Sequence, residues 1–274
     1  MPFPERYDAL LAVAGEVLVG LDFDGTLSPI VADPTRAAIH PDGPRVLAAL
    51  APQVGAVVVV TGRPARQVVE LGGLDAVADG LPDGAVLAVL GQYGNERWDS
   101  TSRSFTSPEP PAGLTAFRDE LPALLGRARA DGTFVEEKGL AVALHTRRLD
   151  DAAAAFTRLE EVVRDAAERH GLSVEPGRLV LEVRAPGMHK GIALEAALHE
   201  HRARGVLFAG DDLGDLEAFH AVQRQREHGV PALLVCSGSQ EQEVLADLAD
   251  VVVDGPAGVL ELLDRFAADA AQAR

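Results

Sequence analysis

Two aspartates near the start of the chain, Asp22 and Asp24, have the residue type and the spacing needed for phosphoryl transfer. They come soon after an apolar run at residues 17–20, which is typical of a buried strand. Side chains alternate along a strand, so residues two apart point to the same face. Carboxylates this close repel each other unless a cation or a proton holds them together. One could attack phosphorus while the other protonates the leaving oxygen; the alternative is a solvated turn at Gly25.

Three other polar segments follow runs that we expect to be strands, or open an expected helix. They are Thr61-Gly62-Arg63, Lys190-Gly191, and the acidic loop 210–215 with Asp211, Asp212 and Asp215. The hydroxyl of Thr61, free backbone N–H groups and a helix N-terminus suit an anion, and Lys190 adds a fixed cation. The acidic loop offers the oxygen ligands that Mg²⁺ prefers, with acidic helix caps as the alternative. At the carboxyl ends of parallel strands, these segments predict a phosphate and metal site.

The hydrophobic pattern predicts the elements that carry these segments. Fully apolar runs alternate with amphipathic stretches and lie at residues 56–60, 86–90, 206–209 and 232–235. Such an alternation is typical of a parallel sheet that helices cover on both faces. We therefore predict an α/β fold with a doubly wound, Rossmann-like core, formed by residues 1–107 and 186–274.

Residues 108–185 follow a different pattern. A proline-rich linker at residues 106–111 leads into an amphipathic helix, two strands, a second amphipathic helix and two more strands. Helix-strand-strand units joined by tight turns indicate a small antiparallel sheet with helices on one face. This segment therefore predicts an α+β cap domain inserted into the core, with hinges near residues 106–111 and 185–188.

The outer face of the inserted sheet is expected to be polar. Alternation along the strands assigns to it Glu136, Lys138, His145, Arg147, Arg178, Glu182 and Arg184. A solvated face is the common alternative in antiparallel sheets. However, Lys138 and Lys190 are the two lysines among 25 basic side chains, and lysine is not interchangeable with arginine where a compact charge must meet an oxygen atom. Unless chance retained them, this face is a candidate for substrate recognition.

The composition argues against several classes of partner. A formal net charge of −17 argues against nucleic acid and against an anionic membrane surface. An anionic substrate would then need a local cationic pocket or a metal. Cys236 is the single cysteine, so no internal disulfide can form, and no leader segment or bilayer-spanning apolar run is evident. We expect a cytoplasmic protein that acts on a small molecule, with a monomer as the working expectation.

The four polar segments, in this order, resemble the motifs of the haloacid-dehalogenase-like phosphohydrolases. The resemblance implies that Asp22 is the nucleophile, which would form an aspartyl-phosphate, and that Asp24 is the general acid/base. Thr61 and Lys190 would hold the phosphate. The implied Mg²⁺ ligands are Asp22, the backbone carbonyl of Asp24 and Asp211, supported through water by Asp215 or Asp212. By the same resemblance, the inserted segment matches a C2-type cap.

Within that superfamily the chain looks most like the trehalose-6-phosphate phosphatase family. The segments that carry this resemblance are Asp24-Gly25-Thr26-Leu27-Ser28-Pro29, Thr61-Gly62-Arg63, Gly91-Gln92-Tyr93-Gly94-Asn95-Glu96, Val135-Glu136-Glu137-Lys138-Gly139 and Leu181-Glu182-Val183-Arg184. The resemblance implies substrate-binding roles for Arg63, Glu136, Lys138, Arg147 and Glu182. Where the family usually has Ser, His, Asp, Thr and Glu, this chain has Thr61, Tyr93, His189, Gly214 and Leu216.

The resemblance therefore implies an enzyme of trehalose biosynthesis, a Mg²⁺-dependent phosphatase that hydrolyses trehalose 6-phosphate. Two enzymatic alternatives share the core: a phosphatase for another sugar phosphate, such as sucrose phosphate or a glycosyl-phosphoglycerate, and a phosphohexomutase. An alternative of another class is a non-catalytic sugar-phosphate sensor. The sensor is disfavoured by the presence of Asp22, Asp24, Lys190 and Asp211, because binding alone does not need both carboxylates of the first pair.

Overall fold

The computed structural model of the chain describes residues 2–31, 33–238 and 243–273. The helices are α1 (Phe3–Leu11), α2 (Gly43–Leu50), α3 (Ala65–Gly72), α4 (Leu74–Asp79), α5 (Ala112–Ala128), α6 (Ala152–Arg169), α7 (Lys190–Glu200), α8 (Leu216–Glu227), α9 (Glu243–Leu248) and α10 (Gly255–Gln272). The strands are β1 (Val17–Leu21), β2 (Ala56–Val60), β3 (Leu87–Gly91), β4 (Glu96–Asp99), β5 (Phe105–Thr106), β6 (Phe134–Glu137), β7 (Ala141–His145), β8 (Ser173–Gly177), β9 (Val180–Arg184), β10 (Gly205–Gly210), β11 (Ala232–Gly238) and β12 (Val251–Asp254). Among the described residues, no helix combines the length and the apolarity needed to cross a bilayer.

The chain forms two compact units. Residues 1–107 and 189–274 form the first, which we call the core unit, and residues 108–188 form the second, the inserted unit. The core unit is thus built from both ends of the chain.

The core unit is organised around one sheet of eight strands in the order β12-β11-β10-β1-β2-β3-β4-β5. The pairs from β12 to β3 are parallel, and β4 and β5 add antiparallel strands at one edge. Strand β1 lies between β10 and β2, with Leu21 opposite both Ala209 and Val59. This parallel-dominated sheet confirms the predicted α/β class.

Alternating side chains of the central strands enter two separate apolar layers. On β10, Leu207 and Ala209 pack into the layer that contains α1, α2, α3, α4 and α10. Val206 and Phe208 enter the layer that contains α7, α8 and α9, where Phe208 meets Phe219 edge-on at 6.0 Å between ring centroids. Because both faces of these strands are covered, their sequences are apolar throughout rather than alternating.

The inserted unit has an antiparallel sheet in the order β6-β7-β9-β8. Its apolar face packs against α5 and α6, and the shared core contains Val142, Leu181, Val183, Phe117 and Leu159. The opposite face carries a row of directly paired residues across the four strands: Glu136, Ala143, Glu182 and Glu175.

Several element boundaries differ from the sequence prediction. Strand β9 begins at Val180 rather than at residue 178, because Leu179 has a φ of +58° and forms the turn. Arg178, which alternation assigned to the outer face of the sheet, therefore lies in the turn between β8 and β9, and that assignment was wrong. Strands β4 and β5 were not predicted, because β4 places a buried Trp98 among polar neighbours and lacks an apolar run.

Candidate active site

The chain turns sharply where β1 ends at the edge of the sheet. Asp22 still follows the strand, since its N–H donates to the carbonyl of Ala209 at 2.9 Å. The turn is then closed by the N–H of Gly25, which donates to the carbonyl of Ser28 at 2.7 Å. Gly25 has a φ of +75°, and a Cβ atom there would lie 2.0 Å from Oδ2 of Asp211. Glycine is therefore required twice, by the backbone conformation and by the approach of the Asp211 carboxylate.

Lys190 joins two buried carboxylates at this edge. Its Nζ lies 2.6 Å from Oδ1 of Asp22 and 2.8 Å from Oδ1 of Asp215. Asp22, Asp211 and Asp215 each offer a carboxylate oxygen within 4.8 Å of the others. The structure thus brings together residues from the end of β1, the start of α7 and the acidic loop after β10, and all of them are buried.

The acidic loop places Asp215 inside the cluster and Asp212 outside it. Oδ2 of Asp215 accepts the backbone N–H groups of Asp211 at 3.0 Å and Asp212 at 3.3 Å. The exposed Asp212 instead caps the short helical turn, since its Oδ1 accepts the N–H of Gly214 at 2.8 Å. Of the two residues that the sequence left open, Asp215 is the one that lies with Asp22 and Asp211.

Burial dominates the electrostatics of this cluster. It raises the pKa of Asp22 well above its usual value, an effect opposed by Lys190 and reinforced by the other carboxylates. Burial, with the charges of Asp212 and Asp215, raises the pKa of Asp211 to about 7. Burial alone would lower the pKa of Lys190, but Asp215 and Asp22 outweigh it and raise that pKa well above its usual value.

The donor set fits a divalent cation. Three carboxylates face one ammonium group, so negative charge remains unbalanced when all are ionised. Carboxylate oxygens in such a cluster are the ligands that Mg²⁺ favours. Asp22, Asp211 and Asp215 are therefore the residues that could hold such an ion; a role for the carbonyl of Asp24 stays a prediction.

Asp24 has a different environment from Asp22. Its side chain is 40% exposed and forms a two-pronged ion pair with Arg63, with Nε to Oδ2 at 2.6 Å and Nη2 to Oδ1 at 2.7 Å. The two aspartates that the sequence places side by side therefore have separate cationic partners, Lys190 and Arg63.

The segment after β2 is more fully hydrogen-bonded than we expected. Thr61 is buried, and its Oγ1 accepts the N–H of Arg63 at 3.1 Å. The N–H of Ala65, the first residue of α3, donates to Oε2 of Glu96 at 2.7 Å. The expectation of freely available N–H groups was thus wrong at residues 63 and 65, since side-chain oxygens satisfy both.

The turn Gln92–Gly94 supports this segment and was not assigned a role from the sequence. Gln92 and Tyr93 have φ values of +48° and +58°. Their N–H groups donate to the carbonyls of Arg63 and Thr61, each at 2.9 Å. A Cβ atom at Gly62 would lie 2.7 Å from the Tyr93 hydroxyl oxygen, so the phenol ring lies close against Gly62. Gly91, just before the turn, and Gly94, its last residue, were the features of the sequence that could have indicated a tight turn here.

In the inserted unit, the structure brings together Lys138 and Glu182. Nζ of Lys138 lies 2.6 Å from Oε2 of Glu182, whose other oxygen lies 3.3 Å from Nη1 of Arg184. Arg184 also contacts Glu175 at 2.8 Å. Glu182 and Arg184 are buried, so these four side chains form a connected ionic network rather than a set of separately solvated side chains.

The other two predicted residues of the inserted unit, Glu136 and Arg147, have partners of their own. Glu136 contacts Nε2 of His145 at 2.9 Å. Arg147 lies beyond the end of β7, is exposed, and donates from Nε and Nη2 to the carbonyl of Arg178 at 3.2 Å. Arg147 thus contacts a backbone carbonyl in the turn before β9.

Comparison with known proteins gives a consistent set of relatives. The family model described as trehalose-phosphatase matches residues 126–253. A probable trehalose-phosphate phosphatase of Sinorhizobium fredii is 34% identical over 211 residues, which cover 74% of this chain and 73% of the relative. Trehalose-phosphate phosphatase of Mycobacterium tuberculosis is 32% identical over 267 residues, covering 93% of this chain. The chain spans 62% of the length of that mycobacterial relative.

Solved structures share the fold at low sequence identity. The C-terminal domain of Candida albicans trehalose-6-phosphate phosphatase has a TM-score of 0.76 at 20% identity, covering 97% of this chain and 96% of that one. A trehalose-6-phosphate phosphatase related protein has a TM-score of 0.68 at 22% identity, with 94% and 100% covered. The C-terminal domain of a Candida albicans trehalose synthase regulatory protein also has a TM-score of 0.68, at 15% identity, with 97% and 99% covered.

Proposed function

The chain belongs to the trehalose-phosphatase family, and from this premise we propose that it hydrolyses trehalose 6-phosphate to trehalose and inorganic phosphate. The observation that carries the proposal is the buried contact of Asp22 with Lys190, beside Asp211 and Asp215. A regulatory protein shares the fold, so the fold alone does not separate catalysis from sensing. The second carboxylate at Asp24, two residues after Asp22, favours catalysis over sensing.

Asp22 is the proposed nucleophile. One of its carboxylate oxygens attacks phosphorus, the bond from phosphorus to the sugar oxygen breaks, and an aspartyl-phosphate forms. Lys190 contacts the same carboxylate, so its ammonium group lies where a phosphoryl oxygen would arrive. The hydroxyl of Thr61 is proposed as a further phosphate ligand.

Asp24 is the proposed acid and base. Its carboxyl group gives a proton to the departing sugar oxygen, and the resulting carboxylate then takes a proton from the water that attacks the aspartyl-phosphate. Because Asp24 is part-exposed while Asp22 is buried, the two residues can have separate roles, one as a desolvated nucleophile and one in contact with water.

Asp22, Asp211 and Asp215 are proposed to hold Mg²⁺, with the backbone carbonyl of Asp24 as a further ligand. When bound, the ion would offset the mutual repulsion of these carboxylates and of the incoming phosphate. Lys190 already balances part of this charge through its contacts with Asp22 and Asp215.

The polar face of the inserted unit is proposed to bind the sugar hydroxyls. Lys138 and Glu182 offer a donor and an acceptor that a network of ion pairs holds in place. Charged donors and acceptors form stronger hydrogen bonds than neutral ones, and side chains that are already held in place lose less conformational entropy when a ligand binds. Glu136 and Arg147 are included as proposed contacts by resemblance to the family.

Phosphate release from trehalose 6-phosphate, sucrose 6-phosphate and glucose 6-phosphate, measured with Mg²⁺ and with EDTA, tests the proposal. We expect metal-dependent release with a strong preference for trehalose 6-phosphate, and no release by Asp22→Asn, which removes the nucleophile. Preference for another ester would replace the substrate and keep the chemistry. Binding without release from any ester would favour the sensor.

A further inference from the structure

The guanidinium group of Arg63 donates hydrogen bonds to both oxygens of the Asp24 carboxylate. Nε donates to Oδ2 at 2.6 Å and Nη2 donates to Oδ1 at 2.7 Å. The Arg63 side chain is only 12% exposed. A planar fork of this kind sets the plane and the direction of a carboxylate, which a point charge such as lysine cannot do.

Several parts of the core unit hold the Arg63 fork in place. Nη1 donates to the backbone carbonyl of Pro34 at 2.8 Å. The backbone of Arg63 is fixed on both sides, by Oγ1 of Thr61 at its N–H and by the N–H of Gln92 at its carbonyl. The direction of the guanidinium group is therefore determined by the loops after β1, β2 and β3 together.

We infer that Arg63 is a positioning residue that acts through Asp24, an inference that rests on the proposed hydrolysis. The resemblance to relatives implies instead a direct contact of Arg63 with substrate. In the structure, the same guanidinium group is directed at Asp24 and at a backbone carbonyl. Its contribution is to aim the Asp24 carboxyl group at the sugar oxygen that leaves phosphorus.

The pairing is compatible with both proton transfers. A carboxylate has about four lone-pair sites, so the two bonds from Arg63 leave one site on each oxygen for a proton. In the first step, the proton passes from Asp24 to the sugar oxygen as the phosphorus–oxygen bond breaks and the bond to Asp22 forms. Arg63 then stabilises the carboxylate that remains. In the second step, Asp24 takes a proton from water as the water oxygen bonds to phosphorus and the Asp22–phosphorus bond breaks.

A comparison of leaving groups tests this role. An alcohol leaving group needs a proton, whereas the 4-nitrophenolate leaving group of 4-nitrophenyl phosphate does not. For Arg63→Lys, we expect kcat/KM to fall about 10- to 100-fold for the sugar phosphate, because general-acid catalysis contributes about 10²–10⁴-fold in total. For 4-nitrophenyl phosphate we expect a change of less than about threefold, and the inhibition constant of inorganic phosphate stays within the same limit because Arg63 does not bind the phosphate. Arg63→Gln, which also lacks the fork, provides a second variant.

A double-mutant cycle separates action through Asp24 from direct binding. If Arg63 acts through Asp24, Arg63→Lys causes no further loss of kcat/KM in an Asp24→Asn background. Arg45→Lys is the matched control, because Arg45 forms a similar two-pronged pair with Asp264 at 2.9 and 3.2 Å on the surface. This control should leave kcat/KM unchanged for both the sugar phosphate and 4-nitrophenyl phosphate.

Two results would overturn the assignment: equal losses on both esters with weaker phosphate inhibition, or additive losses in the double variant. Its failure is distinguishable from that of the proposed function. If the wild type prefers another sugar phosphate, the substrate of the proposed function is replaced, and the leaving-group comparison proceeds with that ester. If the wild type hydrolyses no phosphate ester, both the proposed function and the role of Arg63 are overturned.

Discussion

Single residues with no chemistry of their own set the geometry of the site. Gly25 lets the Asp211 carboxylate approach the turn after β1, and Gly210 similarly admits Asp215, since a Cβ atom there would lie 2.5 Å from Cγ of Asp215. A side chain at either position would displace a carboxylate of the cluster. Several other core-unit glycines with positive φ, including Gly73, Gly84 and Gly229, have nothing within 4 Å of their Cβ positions, although a Cβ atom at Gly94 would lie 2.7 Å from Cβ of Ala193.

Gly25→Ala is expected to lower phosphatase activity at least about 100-fold, since displacing a group at the reacting centre by about 1 Å has costs of that order. Gly84→Ala is the matched control: Gly84 has a φ of +86°, close to that of Gly25, but nothing lies within 4 Å of its Cβ position. Both variants should lose about 1–2 kcal/mol of stability from the left-handed backbone. Circular-dichroism melting and phosphate release would measure the two effects, and equal activity in the two variants would contradict the role of the Asp211 contact.

The sequence predicted the central carboxylates better than their partners. Asp22 and Asp211 each follow an apolar strand, and the direction of parallel strands brings such positions to one edge. The pairing of Arg63 with Asp24 was not predictable in the same way, because the direction of a long side chain depends on the loops that surround it. The conformation of Gln92 was equally unpredictable, because it has a left-handed backbone although it is not a glycine.

At the scale of elements, the short turn between β10 and α8 determines which acidic residues belong to the site. Its capping interactions turn Asp215 inward to Lys190 and leave Asp212 exposed. The composition of the loop revealed its acidity, but the helical turn at Leu213–Asp215 decides which carboxylate is buried.

Asp215→Asn should weaken metal binding much more than Asp212→Asn. At 100 times its dissociation constant, a ligand stabilises the native state by about 2.7 kcal/mol, equivalent to a rise of roughly 5–10 °C in melting temperature for a protein of this size. We expect wild type and Asp212→Asn to show such a rise with Mg²⁺, and Asp215→Asn to show little, because it removes one of the three clustered carboxylates. A similar loss in both variants would argue against the separate roles of the two residues.

On the scale of the whole molecule, buried carboxylates link folding to pH. Burial raises the pKa of Asp211 to about 7 and that of Asp22 well above its usual value. The folded state therefore binds more protons than the unfolded chain between the unfolded value of about 4 and pH 7. In that range, the contribution of these two carboxyl groups to the free energy of unfolding falls as pH rises.

In EDTA, the contribution of these carboxyl groups to the melting temperature should therefore decrease between pH 5 and pH 7.5. Asp211 contributes on the order of a few kcal/mol to the free energy of unfolding, because each unit of pKa difference between the folded and unfolded states corresponds to about 1.4 kcal/mol. Asp211→Asn should flatten the pH dependence, and saturating Mg²⁺ should reduce it by balancing the carboxylates. The lowered pKa values of Asp99 and Glu120, each about 2, act in the opposite direction but at lower pH. A dependence in EDTA that is identical in wild type and Asp211→Asn would contradict the prediction.

The proposed binding of the sugar by the inserted unit can be tested at Glu182. Glu182→Gln removes the charge that Lys138 and Arg184 share, so we expect KM for trehalose 6-phosphate to rise about 10-fold or more, in line with roughly 1.5–3 kcal/mol for a charged hydrogen bond. KM for 4-nitrophenyl phosphate, which has no sugar, should change little. Glu160→Gln, in the exposed pair with Arg164 on α6, is the control. Equal effects on both substrates would contradict a sugar-binding role.

The interleaved order of the core strands has a consequence for how the protein is made. Strand β1, which leads to Asp22, lies between β2 and β10, and β10 follows the whole inserted unit in the chain. At about 5–20 residues per second, a ribosome needs roughly 10–40 seconds to extend the chain from β1 to β10, and one edge of β1 has no partner strand during that time. The inserted unit is complete during that interval and has its own apolar core. Translation thus favours an order in which the inserted unit folds first and the catalytic sheet closes last.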